Sequence, residues 1–108
     1  MKSTAEIIRL LQVFKTQQAE KYGIFQLGIF GSVARNEQKE TSDVDIYYEG
    51  RPIGLFSMAH MKNELEELLG CSVDIVRLRD RMNQLLKKRI QQEGIYVWQR
   101  IAHRYETS

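Results

Sequence analysis

The sequence predicts an α/β (α+β) domain in which a small sheet packs against helices. Three observations carry that expectation. Apolar stretches of strand length, GIFQLGIF, DVDIYY and SVDIVRL, alternate with longer stretches whose apolar residues recur at spacings of three and four. Glycines fall at the ends of these stretches and punctuate them. The 108 residues, 43% apolar and 28% charged with one proline, suit one ordinary folded domain with a single modest core and no second domain. Pattern alone leaves open the strand order and whether helices cover one face of the sheet or both.

Residues 3–21 carry Ile7, Ile8, Leu11 and Phe14 on one helical face, with Ser3 or Thr4 as N-cap and Gly23 as the stop. Residues 23–30 are too short and too apolar for a solvated helix and read as a buried strand in which Gly28 permits close packing. Residues 32–36 allow a turn or two of helix, and residues 36–42 form a polar loop without core residues. Residues 43–48 are the second strand, and EGRPIG at 49–54 is turn chemistry. Leu55, Met58, Ala59, Met61, Leu65, Leu68 and Leu69 then trace a second amphipathic helix closed by Gly70. Residues 72–78 make the third strand. Asp80 reads as the N-cap of a helix over 81–93, with Met82, Leu85, Leu86, Arg89 and Ile90 on one face and Gly94 as the stop. The run IYVWQRI at 95–101 fits strand or helix, and the tail from 102 is expected to fray.

No apolar run approaches the ~20 residues of a membrane span, and the N-terminus lacks a signal-peptide core, so the chain is expected in the cytoplasm. Cys71, the single cysteine, excludes an internal disulfide and reads as a small, partly buried residue. The net charge of +2 is unevenly spread. Residues 77–104 hold eight Lys or Arg against Asp80 and Glu93, and the rest of the chain is acidic. That basic stretch is either a solvated helix face or a surface for RNA or an acidic partner. RNA is the less favoured partner, since no aromatic platform is interleaved with the charges.

The chemistry concentrates in residues 23–49. Asp43 and Asp45, two apart on a strand, project to one face within ~7 Å along the chain. Asp74 interrupts the third strand in the same way, and a buried carboxylate without a partner is costly. Either these aspartates sit at solvated strand ends, or a hard cation compensates them. Mg2+ takes oxygen ligands from one or two carboxylates, with phosphates and waters completing its shell, and three convergent carboxylates suit two such ions. Gly31-Ser32 follows a strand and opens a short helix. Its backbone N–H groups and the Ser32 hydroxyl can face an anion, or Ser32 can be an ordinary N-cap. Arg35, one turn later, can reach a phosphate or pair with a carboxylate.

Gly31-Ser32-Val33-Ala34-Arg35, then Ser42-Asp43-Val44-Asp45-Ile46, then Asp74 in VDIV, resemble the GSxAR, DxD and distant-Asp signature of the minimal nucleotidyltransferases of the DNA polymerase beta-like superfamily. The resemblance covers roughly residues 5–98. It implies a small mixed sheet bearing the three aspartates, with a Gly-Ser turn holding the triphosphate of ATP and two Mg2+ between protein and phosphates. In that scheme Asp43 and Asp45 are shared metal ligands. Asp74 binds the catalytic metal and helps deprotonate the incoming hydroxyl. Members this short resemble the antitoxin partners of HEPN ribonuclease toxins, so the resemblance implies transfer of AMP to a tyrosine of such a toxin. Other outcomes are a non-catalytic antitoxin that binds through the basic helix and IYVWQRI, transfer to a small molecule in a pocket completed by an oligomer, and transfer to RNA.

Overall fold

The structure, a computed structural model, describes residues 2–99. The elements are helix α1 (Thr4–Gln18), strand β1 (Ile24–Phe30), the short helix α2 (Gly31–Ala34), strand β2 (Val44–Gly50), helix α3 (Leu55–Leu69), strand β3 (Val73–Arg77), helix α4 (Gln84–Glu93) and strand β4 (Ile95–Gln99). The run at 95–99 is therefore strand. Residues 100–108, which include the end of IYVWQRI and the tail expected to fray, lie outside the described residues, as do the side chains of Trp98 and Gln99.

The sheet has the order β3-β2-β1-β4 and is mixed. β1 pairs antiparallel with both β2 and β4, whereas β2 and β3 run parallel, joined by the crossover helix α3. Helices lie on both faces. Ile7, Leu11 and Phe14 of α1 and Met61, Leu65 and Leu69 of α3 bury against Ile24, Leu27, Ile29, Val44, Ile46 and Tyr48. On the opposite face Ile90 of α4 closes over Phe30 and Tyr47. The period of two along β2 thus sends Val44, Ile46 and Tyr48 into one core and turns Asp45 and Tyr47 to the other side. Gly28 accommodates the second layer, since a methyl on it would overlap the Tyr47 ring.

Caps explain three of the helix ends, at Ser3, Gly70 and Asn83. Ser3 is the N-cap of α1, its hydroxyl accepting from the Glu6 N–H at 3.1 Å. Thr4 instead donates to the Val33 carbonyl at 2.7 Å and ties α1 to α2. Gly70 ends α3 with φ of 71°, a left-handed turn that glycine makes at least cost.

Several placements differ from the sequence expectation. Asp80 does not cap α4: Asn83 does, accepting from the Leu86 N–H at 3.1 Å, while Asp80 pairs with Lys87 at 3.2 Å. Asp43 lies just before β2 and not on it, because the Ser42 hydroxyl accepts from the Lys39 N–H at 2.8 Å and closes a turn over 39–42. Leu55 and Leu85, placed on inner helix faces by their spacing, are both 81% exposed. Each stands in the first turn of its helix, where periodicity marks a face but not whether the sheet reaches it.

Candidate active site

β1 and β2 bring the two halves of the sequence motif together. β1 ends at Phe30, whose Cα partner across the antiparallel pair is Asp45. The chain then turns at Gly31 with φ of 73° and enters α2. A side chain on Gly31 would be strained in that conformation, and its Cβ would also overlap Asp45 Oδ2. The turn backbone is therefore in direct contact with the Asp45 carboxylate. Ser32 occupies the first turn of α2 and is not its N-cap, since Phe30 holds that position without a side-chain bond. The first N–H groups of such a turn have no intrahelical acceptor.

On the other side of Asp45 the parallel register sets Asp74 of β3 directly opposite. Both face the side of the sheet covered by α4. Asp45 is half-buried, and its pKa is raised first by that burial and then by the charge of Asp74, with a smaller push from Asp43. Arg89 and Arg35 pull it down. Two neighbouring carboxylates thus disfavour the ionised form of a third, the situation that a bound cation relieves. Asp43 and Asp74 are exposed. Among the described residues no three His, Cys, Asp or Glu gather tightly enough to hold one ion. The three aspartates instead form an open row, which fits an ion that draws most of its shell from phosphates and water.

Arg35 pairs with carboxylates: Nε contacts Glu37 Oε1 at 2.6 Å and Nη1 contacts Glu93 Oε1 at 2.5 Å. The carboxylate pairing expected of Arg35 is thus seen, and it does not exhaust the five N–H donors of the guanidinium. Two residues near the site escaped the sequence reading. Arg89, one turn before the end of α4, stands over the Phe30 ring at 6.0 Å and acts on Asp45. Glu93 joins Arg35 to Arg89, its Oε2 lying 3.5 Å from Arg89 Nε. The available signal was Arg89 itself, a charge set in the otherwise apolar stripe Met82, Leu85, Leu86 and Ile90.

Residues 10–102 match the family model for polymerase beta nucleotidyltransferases. The chain belongs to that family. It is a nucleotidyltransferase, and an enzyme by that membership. Among its relatives, the "Putative protein adenylyltransferase MJ1217" of Methanocaldococcus jannaschii is 43% identical over 100 residues, covering 90% of this chain and 100% of the relative. The protein adenylyltransferase MntA of Thermococcus cleftensis is 35% identical over 98 residues, covering 90% and 98%. A solved complex of a tri-AMPylated HEPN toxin from Shewanella oneidensis with its MNT antitoxin superposes with a TM-score of 0.64 at 18% identity, covering 93% of this chain and 76% of that one. At that identity the likeness is one of fold. No helix among the described residues is long and apolar enough to cross a membrane.

Proposed function

We propose that the protein transfers AMP from ATP, with Mg2+, to a hydroxyl of a partner protein, a tyrosine of a HEPN ribonuclease toxin, and so acts as its antitoxin. The observation that carries this reading is the contact of the Gly31 turn with Asp45 while Asp74 flanks Asp45 on the next strand. A phosphate-binding backbone and an acidic row then share one end of the sheet.

In this reading Gly31 and Ser32 hold the triphosphate through backbone N–H groups and the Ser32 hydroxyl. Asp43 and Asp45 supply the shared metal ligands, and Asp74 supplies the third. Mg2+, when bound, neutralises phosphate charge and the crowded carboxylates. The acceptor hydroxyl attacks the α-phosphorus as its proton passes to Asp74. A new P–O bond forms, the bond to the β-phosphate oxygen breaks, and pyrophosphate leaves with the electron pair. Positioning and charge neutralisation provide most of the rate in phosphoryl transfer. The printed names of the relatives, and the AMPylated toxin in the solved complex, support a protein acceptor.

Incubation with α-labelled ATP, Mg2+ and the partner is expected to label the partner. Asp43→Asn and Asp45→Asn each abolish the label, and labelling that survives both removes the enzymatic reading. Binding without catalysis has one observation in its favour: Tyr96 on β4 is 58% exposed and Leu85 on α4 is also bare. Under that reading the Asp45→Asn protein still neutralises a co-expressed toxin; under the enzymatic reading it does not.

A further inference from the structure

We propose that Arg89 joins Arg35 as a phosphate-binding cation of the site and that Glu93 is the positioning residue that holds the two guanidiniums together beside the Gly31-Ser32 turn. The inference rests on the nucleotidyl-transfer reading above and deepens it. Glu93 closes α4 and uses both carboxylate oxygens, Oε1 on Arg35 Nη1 at 2.5 Å and Oε2 on Arg89 Nε at 3.5 Å. The two guanidiniums come from different elements. Arg35 follows α2, and Arg89 stands on α4 over the ring of Phe30, the residue immediately before Gly31. Two like charges brought this close would separate without the carboxylate between them, and both side chains are long enough to swing into solvent.

Neither guanidinium is used up. Of its five N–H donors, Arg35 commits some to Glu37 and Glu93, and the terminal nitrogens of Arg89 make no hydrogen bond among the described residues. The Arg89 and Arg35 side chains are 48% and 42% exposed, so a ligand can reach them. Phe30 is also the Cα partner of Asp45, which puts Arg89 above the junction of the turn and the acidic row. A polyphosphate lying from Asp45 to Ser32 would therefore meet the N–H donors of Arg89 and Arg35 that Glu93 leaves open, and a guanidinium with free donors can bind phosphate through more than one bond.

The test is calorimetric titration of the full chain with Mg-ATP and with Mg-tripolyphosphate, which shares the phosphates and lacks the nucleoside, with each variant's melting curve as a check on folding. Arg89→Ala is expected to weaken both ligands by a similar factor, about 10-fold or more. Arg89→Lys keeps the charge without the fork and recovers only part of the loss, and Lys88→Ala on the same helix binds as wild type. Glu93→Gln is expected to weaken both ligands severalfold, and to add little on top of Arg89→Ala. Unchanged affinity in Arg89→Ala, or an equal loss in Lys88→Ala, overturns the phosphate contact. Tighter binding in Glu93→Gln overturns the positioning role, since it would make the carboxylate a competitor of the phosphates. Wild-type protein that binds neither ligand overturns this proposal together with the nucleotidyl-transfer reading, whereas binding without label on a partner protein leaves it standing and removes only the protein-acceptor reading.

Discussion

The two faces of the sheet divide the work of the molecule between them. The face under α1 and α3 is dry and continuous, with Ile7, Leu11, Ile24, Leu27, Ile29, Val44, Ile46 and Leu65 all within 1% of full burial. Among the described residues the face under α4 buries Phe30, Tyr47 and Ile90 and no others, and it places carboxylates and guanidiniums beside them. One strand serves both. β2 alternates Val44, Ile46 and Tyr48 with Asp45, Tyr47 and Glu49, so neighbouring residues belong to different tasks. A close-packed face on one side can support a face on the other whose charges strain against one another.

Substitutions on β2 and at its flanking turn affect the two faces differently. The largest loss of stability is expected from Ile46→Ala, which opens a cavity in the α1/α3 core and costs about 2–5 kcal/mol in denaturant unfolding. Activity per folded molecule changes little, because the site is on the other side. Gly31→Ala comes next. Forcing an alanine into a positive φ costs about 1–2 kcal/mol, and its methyl meets Asp45, so stability and transfer fall together. Tyr48→Phe has the smallest cost and the opposite sign. The Tyr48 hydroxyl is fully buried and has no hydrogen-bond partner among the described residues, so its removal is expected to leave stability unchanged or raise it by up to about 1–2 kcal/mol.

The acidic row adds a pH dependence that the dry face lacks. The folded-state pKa of Asp45 is raised, so the fold favours its protonated form. That contribution is fully present below the ordinary aspartate value of about 4 and is lost as pH rises through the folded pKa. Asp45→Asn removes it. In melts taken from acid to neutral pH, the variant should therefore gain on wild type as the pH rises through that window; a constant gap between the two would show that Asp45 ionises in the fold as freely as in water.

What was legible in the sequence was mostly local. The Gly-Ser turn and Asp43-Val44-Asp45 are short-range patterns, and β1 and β2 pair through a register that joins them, so the centre of the candidate site lies within one stretch of sequence. Asp74 was visible as a charge interrupting an apolar strand, but its position opposite Asp45 follows from a parallel register, which needs the crossover through α3 and leaves no short-range signature. Glu93 and Arg89 were hidden for the same reason. They reach the site through the docking of α4, 58 residues along the chain from Arg35 in the case of Glu93. Asp43 was placed on the strand because its spacing from Asp45 fits one, whereas the Lys39 N–H bond that the Ser42 hydroxyl accepts closes a turn, and the strand begins a residue later.

The division between the faces is tested most directly by melting Asp45→Asn and wild type at neutral pH, each with and without Mg-ATP. Without ligand the variant is expected to melt at or above wild type, since it relieves the charge crowding against Asp74 and Asp43. With Mg-ATP at about 100 times its Kd, wild type gains about 2.7 kcal/mol and shifts upward, whereas the variant does not move. A variant that melts well below wild type without ligand, or that keeps the full Mg-ATP shift, would contradict the account, because Asp45 would then be serving the fold and not the site.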